Sequence, residues 1–228
     1  MFVEEEIYLK QLEQFFRDNN LRADENQYGR LAHYASLLAE KNQVVNLISR
    51  KDIEAVVENH IFISAFMSKF TPERCCSSFI DIGTGGGLPA IPFAIMNPLM
   101  KGVAVDSIKK KTDAVSEFIN KLKLGNLKAL NSRVEDKAFI ENHCDKYDLV
   151  ITRATVPLYT LLSYSIPLIR EKAYVAAIKG GDLSQEVKYA EQKFKPFIKK
   201  TTIFELSYKP TNIRNEKEKK LILMELNK

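Results

Sequence analysis

The spacing of hydrophobic residues divides the chain into two parts. In the first 75 residues apolar positions recur at helical intervals, as at Leu31, Tyr34, Leu37 and Leu38, so this part is predicted to be wholly helical. From residue 78 onward, short apolar runs alternate with amphipathic stretches. Repeated strand–helix alternation of this kind predicts a mostly parallel sheet wrapped by helices.

The pattern also predicts where each element lies. A third N-terminal helix is expected from about Asp52 to Phe70, with Asp52 as a possible N-cap. The predicted strands are Phe79–Ile82, Gly102–Val105, Leu127–Leu130, Asp148–Thr152, Ala173–Ile178, Ile198–Leu206 and Lys220–Leu226. The predicted helices between them are Leu88–Met96, Ile108–Leu122, Pro157–Ile169 and Leu183–Phe194. The charged stretch Asn212–Lys220 is expected to be an exposed hairpin connection. We therefore expect a helical extension over residues 1–75 and an α/β domain over residues 76–228.

Composition narrows the class of protein. The chain has 228 residues, 45% hydrophobic and 28% charged, which suits a globular protein with a sizeable core. No apolar run approaches the roughly 20 residues of a membrane span, and the N-terminus is acidic where a signal peptide would be basic. The three cysteines, Cys75, Cys76 and Cys144, form neither a disulfide framework nor a zinc pattern. We expect a cytoplasmic protein, a monomer with no metal.

The run FIDIGTGGGLPAIP, from Phe79 to Pro92, is the main chemical signal. An apolar strand ends at Asp81 and gives way to a glycine cluster, after which Leu88-Pro89 is expected to start a helix. This order predicts a backbone that turns tightly beneath a ligand, with freed amide N–H groups pointing at it. The alternative is a glycine-rich surface turn without a ligand.

A second signal follows at the end of the next strand. Asp106 comes 23 residues after Gly83, where a carboxylate accepts hydrogen bonds from ribose hydroxyls in such folds, although it could also cap the helix that follows. Dinucleotides and S-adenosylmethionine both use this layout. The dinucleotide fingerprint needs a third glycine where this chain has Leu88, so a methyl donor fits better. Val134 and Glu135, after the third strand, are expected to meet the adenine, unless they only begin a short helix.

Eight motifs in the right order resemble the RsmG (GidB) family, the bacterial 16S ribosomal RNA guanine-N7 methyltransferases. The matching stretches are Asn46–Ser49, Asn59–Ser64, Ile80–Ile95, Val105–Lys111, Lys121–Leu127, Asn131–Asp136, Tyr147–Ala154 and Ala177–Gly181. The resemblance implies a Rossmann-like class I S-adenosylmethionine-dependent methyltransferase, with a seven-stranded mostly parallel sheet and an N-terminal helical extension. It also implies that the substrate is a guanine in the 530 loop of 16S rRNA, free or in an assembling small subunit.

The residues expected at the site follow from the motifs and the resemblance together. The expected S-adenosylmethionine contacts are Gly83, Thr84, Gly85, Gly87, Leu88, Asp106, Ser107, Val134, Glu135 and Arg153. Arg153, just past the fourth strand, is also the residue expected nearest the transferring methyl group; a surface arginine paired with a carboxylate is the alternative. The expected RNA contacts are Asn46, His60, Lys109, Lys110, Lys111 and Lys179. For His60, a core or capping role is an equal alternative.

Three positions depart from the family pattern. Lys41 stands where the family usually has Trp, Gly86 replaces a usual Pro in the glycine loop, and Ile63 replaces an acidic residue. These departures leave details of loop rigidity and RNA docking open. Gly86 in particular predicts weaker cofactor binding than a proline would give.

Charge is distributed unevenly along the chain. The net charge is +5, yet residues 1–60 carry 7 Lys/Arg against 11 Asp/Glu, and residues 107–133 carry 7 against 2. This gradient fits a polyanionic partner on one side, although solvated helix faces produce lysine runs too. Two other functions remain open at this point: a methyltransferase acting on a small molecule or protein, and a non-catalytic RNA-binding module.

Overall fold

The structure is a computed structural model that describes residues 3–72, 75–153, 156–206 and 219–228. Its helices are α1 (Val3–Asp18), α2 (Glu25–Asn42), α3 (Ile63–Phe66), α4 (Ala90–Met96), α5 (Lys109–Lys121), α6 (Lys137–His143), α7 (Leu158–Ser165) and α8 (Ser184–Lys193). Its strands are β1 (Ser78–Ile82), β2 (Lys101–Asp106), β3 (Leu127–Asn131), β4 (Tyr147–Thr152), β5 (Ile169–Gly180), β6 (Ile198–Glu205) and β7 (Lys219–Asn227). None of the helices in these ranges is long and apolar enough to cross a membrane.

The strands form one seven-stranded sheet in the order β3-β2-β1-β4-β5-β7-β6. The first five strands pair in parallel, whereas β7 runs antiparallel to both β5 and β6. The predicted mostly parallel sheet is therefore confirmed. From β1 the chain first adds β2 and β3 on one side and then β4 and β5 on the other. Ligands of such sheets bind at this change of direction, in a crevice at the carboxyl end of β1.

Alternating residues of the central strands face two separate cores. Phe79 of β1 and Leu149 of β4 belong to a core that also contains residues of α1, α2, α4 and α5. Ile80 and Val150, one position later, belong to the core under α6, α7 and α8. Both faces of the sheet are thus covered, which explains why these strands are continuous apolar runs.

The helical extension packs on one face of the sheet. Asp24 begins α2 with a capping box, in which its carboxylate accepts from the Gln27 amide and the Gln27 side chain accepts from the Asp24 amide. Phe16 and Phe62 join α1 to the segment after α2, with ring centroids 5.9 Å apart. Residues of the extension and of the sheet share one buried cluster. A domain boundary at residue 75 stays a prediction.

The segment from residue 50 to residue 70 is less regular than predicted. It begins as a 3₁₀ helix at Arg50, continues as a π-helix over Val57–Phe62, and ends through α3 in a second 3₁₀ turn. The prediction that Asp52 caps this helix is wrong, because Asp52 lies inside the first 3₁₀ turn. π-helical turns are rare and concentrate at functional sites.

Other boundaries also differ from the predictions. The helix predicted over Pro157–Ile169 ends at Ser165, because Ile169 already belongs to β5, where it pairs with Tyr147. Helix α4 begins at Ala90 rather than Leu88. A short helix, α6, does follow β3, but it begins at Lys137, after Val134 and Glu135. Of the expected hairpin connection, residues 212–218 lie outside the described residues, and the last two belong to β7.

Candidate active site

The glycine loop between β1 and α4 requires glycine for conformational reasons. Gly83, Gly85 and Gly87 have φ values of 76°, 57° and 95°, a region that residues with side chains rarely adopt. A Cβ on Gly87 would also lie 2.6 Å from the Ile91 side chain. A Cβ on Gly83, in contrast, would meet no neighbouring heavy atom within 4 Å. Gly83 therefore borders open space rather than packed protein.

Most of the loop amides are already used within the protein. The Gly83 and Thr84 amides both donate to the Val105 carbonyl of β2, at 2.9 Å each. The Gly87 and Leu88 amides both donate to the Thr84 carbonyl, also at 2.9 Å. The expectation that freed amides point at a ligand is therefore wrong for these four, because the loop is a series of closed turns.

Asp106, at the carboxyl end of β2, fixes the loop in place. Its Oδ2 accepts from the Gly85 amide at 3.0 Å, and its Oδ1 accepts from the Ile108 amide at 2.9 Å. Asp106 is not itself the N-cap of α5, a position that Ile108 occupies, but its bond to the Ile108 amide holds the start of that helix. Each carboxylate oxygen has a second lone pair, so Asp106 can still accept from a ligand hydroxyl.

A cleft of about 280 Å³ opens at this edge of the sheet. Five of the predicted contacts line it: Gly83, Asp106, Ser107, Val134 and Glu135. The buried Val134 gives the cleft an apolar wall, while the exposed Glu135 stands at its rim. The volume of the cleft is close to the smallest volumes of small-molecule sites, about 300 Å³. The empty space beside Gly83, the buried carboxylate of Asp106 and the apolar wall together fit a nucleoside-bearing cofactor.

A larger cleft, of about 380 Å³, lies at the opposite edge of the sheet, where Lys101 begins β2 and Leu127 begins β3. Ligands of open α/β sheets bind at the carboxyl ends of the strands. We therefore place the candidate active site in the smaller cleft, beside the glycine loop.

The other expected cofactor contacts do not line this cleft. Thr84, Gly87 and Leu88 are buried, and Leu88 packs in the core that the extension shares with the sheet. Gly85 is half-buried, with its amide committed to Asp106. Direct contact between these four residues and a ligand stays a prediction.

Asp81, the last polar residue of β1, belongs with the site although it was not among the predicted contacts. It is fully buried, and its Oδ2 accepts from the Ala90 amide at 3.1 Å, which anchors the start of α4. Its Oδ1 has no hydrogen bond of ordinary geometry. Burial raises the pKa of Asp81 to about 7. Interactions with Thr84, the Ala90 amide and Arg153 lower the pKa, but by less than burial raises it. Its sequence signal was a carboxylate at the end of an apolar strand, two residues before the glycine cluster.

Arg153 is turned toward the helical extension. Its guanidinium donates to the backbone carbonyls of Asn59 at 3.0 Å and His60 at 3.2 Å, and to the Ser64 hydroxyl at 3.0 Å. It thus ties the end of β4 to the π-helical turn. A position beside the transferring methyl group stays a prediction for Arg153.

His60 takes the core role that was its alternative. Its ring is largely buried, and Nδ1 lies 3.4 Å from the Arg153 guanidinium. Arginine can only donate, so His60 Nδ1 is the acceptor and the proton is assigned to Nε2. Burial, followed by the charges of Arg153 and Lys219, lowers the pKa of His60 to about 3. His60 is therefore neutral at physiological pH, and a contact between His60 and RNA stays a prediction.

The predicted RNA-contact lysines fall into two groups. Lys109 and Lys110 are exposed at the start of α5, with Lys109 paired to Asp113, and Lys111 lines the cleft. Lys179 is different, since its ammonium is held by Glu186 and by the Val156 carbonyl and its side chain is only 10% exposed. In this arrangement Lys179 joins β5 to α8, and an RNA contact by Lys179 stays a prediction.

The departures from the family pattern also have local explanations. Lys41 forms an ion pair with Glu117 and so links α2 to α5, while Ile63 is fully buried in the core. Asn46 is exposed in the turn after α2, beside the buried Leu47. A role for Asn46 in RNA binding stays a prediction.

The raised pKa of Asp81 predicts how stability depends on pH. The pKa of Asp81 in the folded protein lies above the unfolded value of 3.8, so folding favours the protonated carboxyl. The protonated carboxyl therefore contributes to the free energy of unfolding at low pH, and this contribution is lost as pH rises through about 7. Relative to Asp81→Asn, the free energy of unfolding of the wild type should fall by roughly 2–3 kcal/mol between pH 5 and pH 8. Urea unfolding of both proteins measures this difference, and a difference independent of pH would contradict the assignment.

Solved structures share the fold. The O-methyltransferase TomG from Streptomyces achromogenes, in complex with SAM, aligns over 98% of this chain and 99% of its own, with a TM-score of 0.61 and 13% identity. An O-methyltransferase from Bacillus cereus in complex with SAH aligns over 98% and 100%, also with a TM-score of 0.61 and 13% identity. The predicted Rossmann-like class I methyltransferase fold is thus confirmed. The bound molecules named for these structures agree with the S-adenosylmethionine predicted from the sequence.

Sequence comparison gives the family. The model of the GidB family, described as rRNA small subunit methyltransferase G, matches residues 27–214. The ribosomal RNA small subunit methyltransferase G of Chlorobium limicola is 39% identical over 73% of this chain and 73% of its own length. That of Clostridium novyi is 31% identical over 76% and 71%. The chain belongs to the rRNA small subunit methyltransferase G family.

Proposed function

We propose that this protein transfers a methyl group from S-adenosylmethionine to N7 of a guanine in the 530 loop of 16S rRNA. The observation that carries the proposal is the cleft at the carboxyl edge, where Gly83, Asp106 and Val134 meet in a chain of this family. The relatives named above are methyltransferases of small-subunit ribosomal RNA, which supports RNA as the substrate.

The residues of the cleft suit a nucleoside cofactor. Asp106 has acceptor capacity for ribose hydroxyls, and Val134 offers an apolar surface for a base. The fully buried Asp81 does not line the cleft, but its carboxylate anchors the start of α4 just after the glycine loop. When bound, S-adenosylmethionine supplies a methyl group made electrophilic by its sulfonium sulfur.

Guanine N7 explains why no acid–base pair is needed. N7 carries an in-plane lone pair and no proton, so its methylation requires no general base. The work left to the protein is alignment of the two reactants at about 3–3.5 Å and exclusion of water. A rigid loop held by Asp106 serves that purpose, since a small displacement of the reactants costs rate steeply.

The basic start of α5 supports an RNA partner. Lys109 and Lys110 are exposed close to the cleft, which Lys111 lines. Lysines at such positions neutralise phosphates and orient the RNA without reading its sequence. RNA binding should therefore weaken steeply with salt.

Substitution of Gly83 tests the cleft directly. Gly83→Ala puts a methyl group into the open space beside the loop, so we expect S-adenosylmethionine to bind at least about tenfold more weakly, measured by calorimetry. Gly181→Ala is the matched control, because Gly181 also has a positive φ of 81° and open space around it but does not line the cleft. Both variants should lose about 1–2 kcal/mol of stability through backbone strain. Equal affinity of the two variants would exclude the cleft as the cofactor site.

Deletion of the gene tests the substrate. Mass spectrometry of 16S rRNA from the deletion strain should show the loss of one N7-methylguanosine in the 530 loop. A plasmid copy of the wild-type gene should restore it, while one encoding Gly83→Ala should restore it less. An unchanged modification profile would exclude the proposed substrate. Loss of a different modification would show that the protein modifies another nucleotide.

A further inference from the structure

A fully buried tyrosine of the helical extension forms a hydrogen bond with the glycine loop. Tyr34, in the middle of α2, donates its hydroxyl to the Gly86 carbonyl at 2.7 Å. The Tyr34 ring packs edge-on against Phe118 of α5, with centroids 5.7 Å apart, so its position is fixed from both sides. The hydroxyl would lie 3.2 Å from a Cβ on Gly87. Tyr34 therefore meets the loop at two successive residues.

The packing around Gly86 comes from the extension as well. A Cβ on Gly86 would lie 3.1 Å from Leu38 Cδ1 and 3.1 Å from Leu47 Cβ. Both leucines are buried, Leu38 in α2 and Leu47 in the turn that follows it. The loop thus rests in a slot whose walls belong to residues 34–47.

The turn after α2 is itself held rigidly. Asn42, 2% exposed, accepts hydrogen bonds on Oδ1 from the Leu47 amide at 2.8 Å and the Ile48 amide at 2.9 Å. This pins the turn to the end of α2. The side chains that confine Gly86 are therefore part of one rigid unit with Tyr34.

These contacts also bear on the freedom that Gly86 gives the loop. Glycine leaves a chain segment more conformational freedom than any other residue, so a loop built on Gly86 needs an outside constraint to keep one shape. The Tyr34 hydrogen bond supplies it, since losing it would leave a buried carbonyl without a donor. The expectation that Gly86 loosens the loop did not include this hydrogen bond from α2, which restrains the loop.

We propose that Tyr34 is a positioning residue for the cofactor cleft: its hydroxyl fixes the Gly86 carbonyl and thereby the conformation of the loop from Gly83 to Gly87. The helical extension then sets the affinity for the methyl donor, although none of these side chains lines the cleft. The inference rests on the proposed function in one respect, that the ligand of the cleft is S-adenosylmethionine.

The test compares two tyrosines of the same helix. Tyr34→Phe removes the hydroxyl that meets the loop, whereas Tyr28→Phe removes a hydroxyl from a half-buried ring that packs on Phe16 instead. Calorimetry with S-adenosylmethionine, at a temperature where circular dichroism shows both variants folded, should give about tenfold weaker binding for Tyr34→Phe. Tyr28→Phe should stay within about twofold of the wild type.

Two further readouts separate positioning from general destabilisation. Amide NMR signals of residues 83–87 should broaden or move in Tyr34→Phe without ligand, while the Michaelis constant for the RNA stays unchanged. If Tyr34→Phe does not fold, Leu47→Ala takes its place, since it trims the other wall of the slot and should weaken binding in the same direction.

Wild-type affinity in Tyr34→Phe, or equal losses in both tyrosine variants, would overturn the proposal. Failure of the wild type to bind S-adenosylmethionine would instead overturn the proposed function, so the two failures are distinguishable.

Discussion

The carboxylate of Asp106 is the interaction on which the site depends. It joins the Gly85 amide to the Ile108 amide, so the end of β2, the glycine loop and the start of α5 are held by a single side chain. Two amides on one carboxylate form charge-assisted hydrogen bonds, which are stronger than neutral ones. The loop can therefore adopt three positive φ values and still keep one shape at the edge of the cleft.

The helical extension holds the same loop from the opposite side. It shares a buried core with the sheet, and Tyr34 reaches from it to Gly86, while Arg153 reaches from β4 to the π-helical turn. Preorganisation of this kind suits the proposed reaction, because methylation of guanine N7 needs alignment of the reactants and no proton transfer.

The sequence predicted the features of the site that depend on the order of strands and on the residues that directly follow them. Gly83, Asp106 and Val134 follow the ends of successive strands, and parallel strands bring those ends together, so their meeting in one cleft could be foreseen. The contacts of Lys179 and His60 could not be foreseen, because each depends on burial and on partners that the folded chain brings into reach. Backbone hydrogen bonds closed the glycine loop in a way that the glycine pattern does not encode.

Methyl transfer by the purified protein can be measured on ribosomal RNA in vitro. Protein-free 16S rRNA and assembling small subunits, each lacking the modification, would be incubated with S-adenosylmethionine that carries a labelled methyl group. We expect label in at least one of the two substrates, confined to N7 of a guanine in the 530 loop, and less label with Gly83→Ala. Label at another atom or another nucleotide, or none in either substrate, would contradict it.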